Sequence, residues 1–199
     1  MAHLLKRIAA LLFGACFALS AQAITIVDTG QPTQTNGGYT LYSSQWLASE
    51  FNVTSAVNLT DVMGYMNFTG ALRVAIYSDG GDLPGTKLYS ATSTQSGTGW
   101  LGSSGLNWAL TSGSYWVSFE TDSGNGYMPY PSPIPLNQEA GYHPGAQGWY
   151  SADTLNLGVR IYGTAAVVPE PASWLMMVLG FGLGGVALRR AKARTPLAT

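Results

Sequence analysis

Apolar side chains recur at every second position along the middle of this chain. That period builds strands, because successive side chains of a strand point to opposite faces. In Ala71-Leu72-Arg73-Val74-Ala75-Ile76-Tyr77, Leu72, Val74 and Ile76 share one face, and Arg73, Ala75 and Tyr77 the other. Ser114 to Glu120 repeats the pattern with Tyr115, Val117 and Phe119 inward, and Leu155 to Tyr162 does so with Leu155, Leu157, Val159 and Ile161. Further strands are expected over 24–27, 46–53, 57–68, 87–91 and 106–110. Turn clusters separate them: Asn36-Gly37-Gly38, Asp79 to Gly85, Ser96-Gly97-Thr98-Gly99, Thr111-Ser112-Gly113 and Asp122 to Gly126. No stretch between the two ends shows sustained helical amphipathicity. The expected fold is all-β, a single antiparallel β-sandwich of a jelly-roll-like kind.

The two ends follow other rules. At the N-terminus Lys6 and Arg7 precede an apolar run from Ile8 to Leu19, and Ala21-Gln22-Ala23 forms a small-x-small cleavage site. Residues 1–23 therefore read as a signal peptide, with the mature chain starting at Ile24. Cys16, after Gly14 and Ala15, raises a lipoprotein alternative. Phe13 fits that alternative poorly, and the apolar run continues past Cys16 to a good Ala-x-Ala. At the C-terminus, Pro169-Glu170-Pro171 precedes an uncharged run from Ala172 to Leu188 and a basic cluster of Arg189, Arg190, Lys192 and Arg194. Proline breaks any helix upstream. The run of 17 residues spans roughly 26 Å as a helix, slightly short of a hydrocarbon core of about 30 Å. It is expected to be a transmembrane helix, with Trp174 near the interface and the cations as a cytoplasmic stop.

The order of these C-terminal parts, with Gly180-Phe181-Gly182-Leu183-Gly184-Gly185 inside the helix, closely resembles the PEP-CTERM sorting signal of Gram-negative bacteria. The resemblance covers residues 168–199. It implies an exosortase as processing partner, a precursor anchored in the inner membrane, and delivery to the cell surface or into extracellular polysaccharide.

Residues 24–167 remain as one domain, long enough for a proper core. It contains no cysteine, so neither a disulfide nor a thiol nucleophile is available. Arg73, Lys87 and Arg160 stand against nine carboxylates, leaving a net charge near −6 that the full-length value of −1 conceals. Such a domain does not hold nucleic acid through its phosphates.

A second resemblance spans roughly residues 45–163. Tyr77-Ser78-Asp79 closes a strand and leads through Gly80-Gly81-Asp82-Leu83-Pro84-Gly85 into another, and Gly113-Ser114-Tyr115-Trp116 opens a later one. This is similar to the choice-of-anchor domains of bacterial surface proteins. It implies an architecture and a mode of display, with no activity attached.

Candidates for chemistry are few, and no catalytic residue, metal site or cofactor is assigned. His143 is the only histidine of the mature domain. One imidazole without cysteine makes no zinc site, and no Gly-x-Ser-x-Gly occurs. It reads as a solvated loop residue. The pairs Asp79 with Asp82 and Glu120 with Asp122 read as turn formers and strand-end charges rather than glycosidase acids. Asp79-Gly80-Gly81-Asp82 offers too few oxygens for calcium; Asp79 capping the turn, with positive φ at the glycines, explains it better. The most informative surface feature is the Tyr127–Tyr150 segment, which carries Pro129, Pro131, Pro133, Pro135 and Pro144. It is expected to run over the surface. Tyr142, Trp149 and Tyr150 are its candidate glycan contacts, because rings stack on sugar faces. The competing reading has these rings tucking the loop onto the sandwich. The expected function is that of a non-enzymatic surface or matrix protein associated with exopolysaccharide. A carbohydrate-binding module is the alternative, and a secreted hydrolase the third.

Overall fold

The structure, a computed structural model, describes residues 22–143, 148–152, 154–166 and 171–192. Ten strands and one helix follow in chain order. They are β1 Ala23–Asp28, β2 Tyr39–Tyr42, β3 Trp46–Val53, β4 Val57–Asp79, β5 Pro84–Leu110, β6 Gly113–Glu120, β7 Asn125–Met128, β8 Glu139–His143, β9 Gly148–Ser151, β10 Val159–Ala165 and α1 Pro171–Lys192. The chain divides into two compact units, one ending at Ala166 and one beginning at Val167. Within the first, every strand pairing is antiparallel. The hydrogen-bonded order is β1-β10-β4-β6-β3-β8-β9, with β5 along the other side of β4 and β7 joining β2 to the middle of β4.

The spine is the hairpin of β4 and β5, of 23 and 27 residues. Its turn closes as the Asp-Gly-Gly-Asp sequence suggests: Gly81 N–H donates to Asp79 Oδ1 at 3.2 Å. Positive φ was expected at both glycines; it falls on Gly81 (82°) and, in place of Gly80, on Asp82 (67°). The hairpin then bends sharply at its glycines, where Gly70 on β4 and Gly97 and Gly99 on β5 adopt φ of 127°, 122° and 147°. These are values that L side chains rarely tolerate. Ser96 to Gly99, expected as a turn between strands, is thus a corner inside one strand. Two contacts show how tight the corner is. Tyr89 stacks on Trp108 at 5.5 Å, and Ser93 Oγ donates to Gly102 O at 3.0 Å. In a straight strand, Tyr89 and Trp108 stand roughly 60 Å apart.

Folding the spine creates two facing layers from one continuous sheet. The first half of β4 pairs with β10 and the second half of β5; the second half of β4 pairs with β6 and the first half of β5. One core fills the space between, built from Leu59, Val62, Met66, Phe68, Leu72, Val74, Ile76, Val117, Phe119, Val159 and Ile161. Leu155 and Leu157 join it from the connection before β10. Two separate jelly-roll sheets were the expectation; the strands instead form one open antiparallel sheet, because β4 and β5 continue through the corner.

The 127–150 segment also departs from its expected surface-loop course. It contains β8, hydrogen-bonded on one side to β3 and on the other to β9. The reason is the placement of proline. Pro129, Pro131, Pro133 and Pro135 precede Glu139–His143, which keeps all its N–H donors.

The C-terminal helix forms as expected. Among the described residues, however, no helix is long and apolar enough to cross a membrane.

Candidate functional site

The outer face of the second layer carries an unexpected concentration of rings and charge. Strand alternation turns Arg73, Ala75 and Tyr77 of β4 away from the core, beside Trp116, Ser118 and Glu120 of β6. Next along the sheet come Trp46 and Ala48 of β3, Ala140 and Tyr142 of β8, and Trp149 of β9. Ala48, Ala75 and Ala140 form a floor of small side chains with no solvent exposure, packed with Trp116 and Tyr77 under Trp149 and Leu83.

Four rings form a chain above this floor. Trp46 stacks on Tyr142 at 4.3 Å, Tyr142 meets Trp149 at 5.2 Å, and Trp149 meets the edge of Tyr77 at 5.5 Å. The Lys87 ammonium closes the circuit, 5.2 Å from the Tyr77 ring and 5.9 Å from Trp46. Such contacts are favourable because the ring face is electron-rich.

Inside the circuit lies Glu120, whose side chain is fully buried. Its Oε2 accepts from Lys87 Nζ at 2.8 Å and Arg73 Nη1 at 3.1 Å; its Oε1 accepts from Tyr77 Oη and Ser118 Oγ, each at 2.7 Å. Arg73 also bonds Asp122. Desolvation alone raises the pKa of the Glu120 carboxyl. The hydrogen bonds from Lys87, Tyr77 and Ser118, with the Lys87 charge, outweigh that and hold it below the usual carboxylate range. Burial, together with the Glu120 charge, pushes the Tyr77 phenol far up, so it stays a neutral donor. Four donors occupy the acceptor sites of one carboxylate.

A second buried carboxylate, Glu139, lies outside this circuit. Its oxygens accept from Asn156 N–H at 2.5 Å, Leu157 N–H at 2.9 Å and Ser49 Oγ at 3.4 Å. It pins the connection before β10 onto β8. Burial pushes its pKa up against those hydrogen bonds, and no salt bridge among the described residues offsets it.

The three expected glycan contacts do not form one platform. Tyr142 and Trp149 are register partners on the same face, whereas Tyr150 pairs with Gly141 and projects to the other. Tyr150 stacks on His143 at 5.4 Å and lies so close over Gly141 that an added Cβ would meet its ring at 2.4 Å. His143 ends a strand rather than sitting in a solvated loop, with Nδ1 2.8 Å from Ser44 O. Asp79 caps its turn and accepts from Trp116 Nε1 at 3.2 Å, while Asp82 accepts from Gln138. Among the described residues no group of three His, Cys, Asp or Glu side chains could hold a metal. Trp46, Tyr77, Lys87 and Glu120 were missed as site residues. The signal was in the off-core positions of β4 and β6, where Ala75 and Trp116 stand in place of uniformly polar residues.

Of the sorting residues, Pro169, Glu170 and Arg194 lie outside the described residues, as does Ala21 of the cleavage site. Pro171 opens α1, Arg190 and Lys192 lie in its last turns, Arg189 is exposed there, and Ala23 opens β1. The chain is thus a self-contained β domain followed by a proline-bounded helix with a basic end. Residues 167–191 match the model of the PEP-CTERM protein-sorting motif. That motif implies an exported protein, a membrane-anchored precursor and processing by an exosortase. No curated protein and no solved structure matches the chain. No family model supports the choice-of-anchor resemblance.

Proposed function

We propose that this is a non-enzymatic surface or extracellular-matrix protein, delivered by its C-terminal segment and retained in exopolysaccharide. The observation that carries the reading is where the fold stops. Ala166 N–H donates to Ala56 O at 3.0 Å as the last backbone bond of the domain among the described residues, and the matched sorting segment begins at residue 167. Cleavage near Pro171 therefore removes an address and no part of the core. Glu120 is unsuited to acid–base work, because every acceptor site of its carboxylate is committed to a fixed donor. Membrane placement of 172–188 in the precursor rests on the matched motif and on the uncharged apolar run that it contains. Replacing Pro169, Glu170 and Pro171 with Ala should leave an uncleaved chain in the membrane fraction. Normal mass and normal release from that variant would refute the reading.

A second reading, glycan binding, is favoured by the row of half-buried rings Trp46, Tyr142 and Trp149 across β3, β8 and β9. The nearby cations are engaged by Glu120 and Asp122, so contact with sugar would rely on stacking. Retention on the native matrix should then survive raised salt, which screens exposed ion pairs but not stacking. Loss of retention in salt would exclude this mode.

A further inference from the structure

The outer side of β5 is an open edge, and its composition sets it apart from the rest of the domain. Among the described residues β5 pairs only with β4, so along its length alternate N–H and C=O groups face away from the sheet. Natural edges of this kind carry lysines, prolines or inward charges that block pairing with another chain. Here Pro84 and Lys87 stand at one end, and from Leu88 to Phe119 the chain has no charged residue at all. Leu88 to Gln95 lies before the glycine corner, pairs with β4 in unbroken register from Tyr89 onward, and is rich in β-branched and hydroxyl side chains. Ser90, Thr92 and Thr94 alternate as exposed residues along it.

We infer that this edge, residues 88–95 of β5, is a self-association surface: it pairs antiparallel with the same edge of a second copy. Charge selects the occupant. The domain carries a net charge near −6, so two copies repel over most approaches, yet along this edge no like charges meet. Antiparallel pairing of one segment with itself is a two-fold contact, which closes on a dimer without leaving a free half. The second layers of two copies then form one sheet across the interface. An eight-residue edge buries far less than the roughly 1,200 Å² of a standard interface. Association is therefore weak and depends on concentration, a condition that crowding at a surface satisfies.

The test uses the full chain in detergent with Cys16 replaced by Ser, single cysteines placed at Ser90, Thr92, Thr94 or Ser96, and a control at exposed Ser55. Paired positions in an antiparallel ladder hold their Cβ atoms about 5 Å apart, within reach of a disulfide or a short cross-linker. Covalent dimer should peak at one or two of the β5 positions, fall on either side, and exceed the control about tenfold. Sedimentation should show dimer increasing with concentration. Adding lysines at two of the other exposed positions among Ser90, Thr92, Thr94 and Ser96 should lower cross-linking at the peak position at least tenfold while the thermal midpoint stays within a few degrees. Cross-linking no greater than at Ser55, or monomer at millimolar concentration, would overturn the inference. So would cross-linking unchanged by the two lysines.

Discussion

β4 and β6 present two faces that are packed in opposite ways. On the inner face Leu72, Val74, Ile76, Val117 and Phe119 meet only apolar neighbours, and packing holds them with no directional bonds. On the outer face of the same strands Tyr77, Trp116, Ser118 and Glu120 are just as inaccessible to solvent, yet their order depends on named donors and acceptors. The first kind of burial tolerates any apolar side chain of the right volume. The second tolerates almost no change, because removing one partner strands another in a low dielectric. Equal burial therefore does not mean equal robustness.

The largest expected effect breaks the inner face. Val74→Asp places an unpaired charge in the core and should cost several kcal/mol, on the order of the whole stability of the domain. Circular dichroism should show the β signal lost at ambient temperature. Removing the centre of the outer face comes next. Glu120→Ala takes the shared acceptor from Lys87, Tyr77 and Ser118, leaves Arg73 only Asp122, and should cost about 3–5 kcal/mol by denaturant titration.

A pH series sharpens the same contrast. Glu120 has a depressed pKa in the folded state, so its contribution is present above the ordinary carboxylate range and is lost as pH falls through the folded value. Glu139 has a raised one, so the folded state holds its proton longer and stability falls as pH climbs from the ordinary value to the raised value. Glu120→Gln should therefore flatten the acid limb of the thermal midpoint, and Glu139→Gln the limb just above it. Identical profiles for the two variants would show that the carboxylates are not in opposite environments.

Trp149→Ala should cost about 1–2 kcal/mol, less than a fully buried ring, because its ring is only half covered by Tyr77 and Tyr142. The smallest effect belongs to Arg160, which bonds Asp28 at 3.0 Å and lies 4.0 Å over the Trp100 ring. Arg160→Ala should change stability by less than about 1 kcal/mol.

Strand content was legible where one face is apolar and the other polar, as in Leu72-Val74-Ile76 and Val117-Phe119. It was illegible where both faces are packed: Ala75 and Tyr77 were placed only on the face opposite Leu72, Val74 and Ile76, and that face is a second buried surface. The corner was hidden for a different reason. Ser96 to Gly99 has turn chemistry, and only pairing with β4 reveals that the strand continues through it. The sorting motif was legible, since its information lies in the linear order of proline, apolar run and cations. The circuit around Glu120 joins residues from β3, β4, β5, β6, β8 and β9, and no local pattern brings those together.

The pairing of β1 with β10 has a mechanical consequence. Ala23 lies opposite Thr164, so the chain enters and leaves the domain at one end. β10 is held along both sides, by β1 and by β4. A pull on the C-terminal tether runs along β10, across its hydrogen bonds, so the two ladders share the load and must shear together rather than unzip one rung at a time. A domain tugged at that end during export meets the force with a strand braced on both sides.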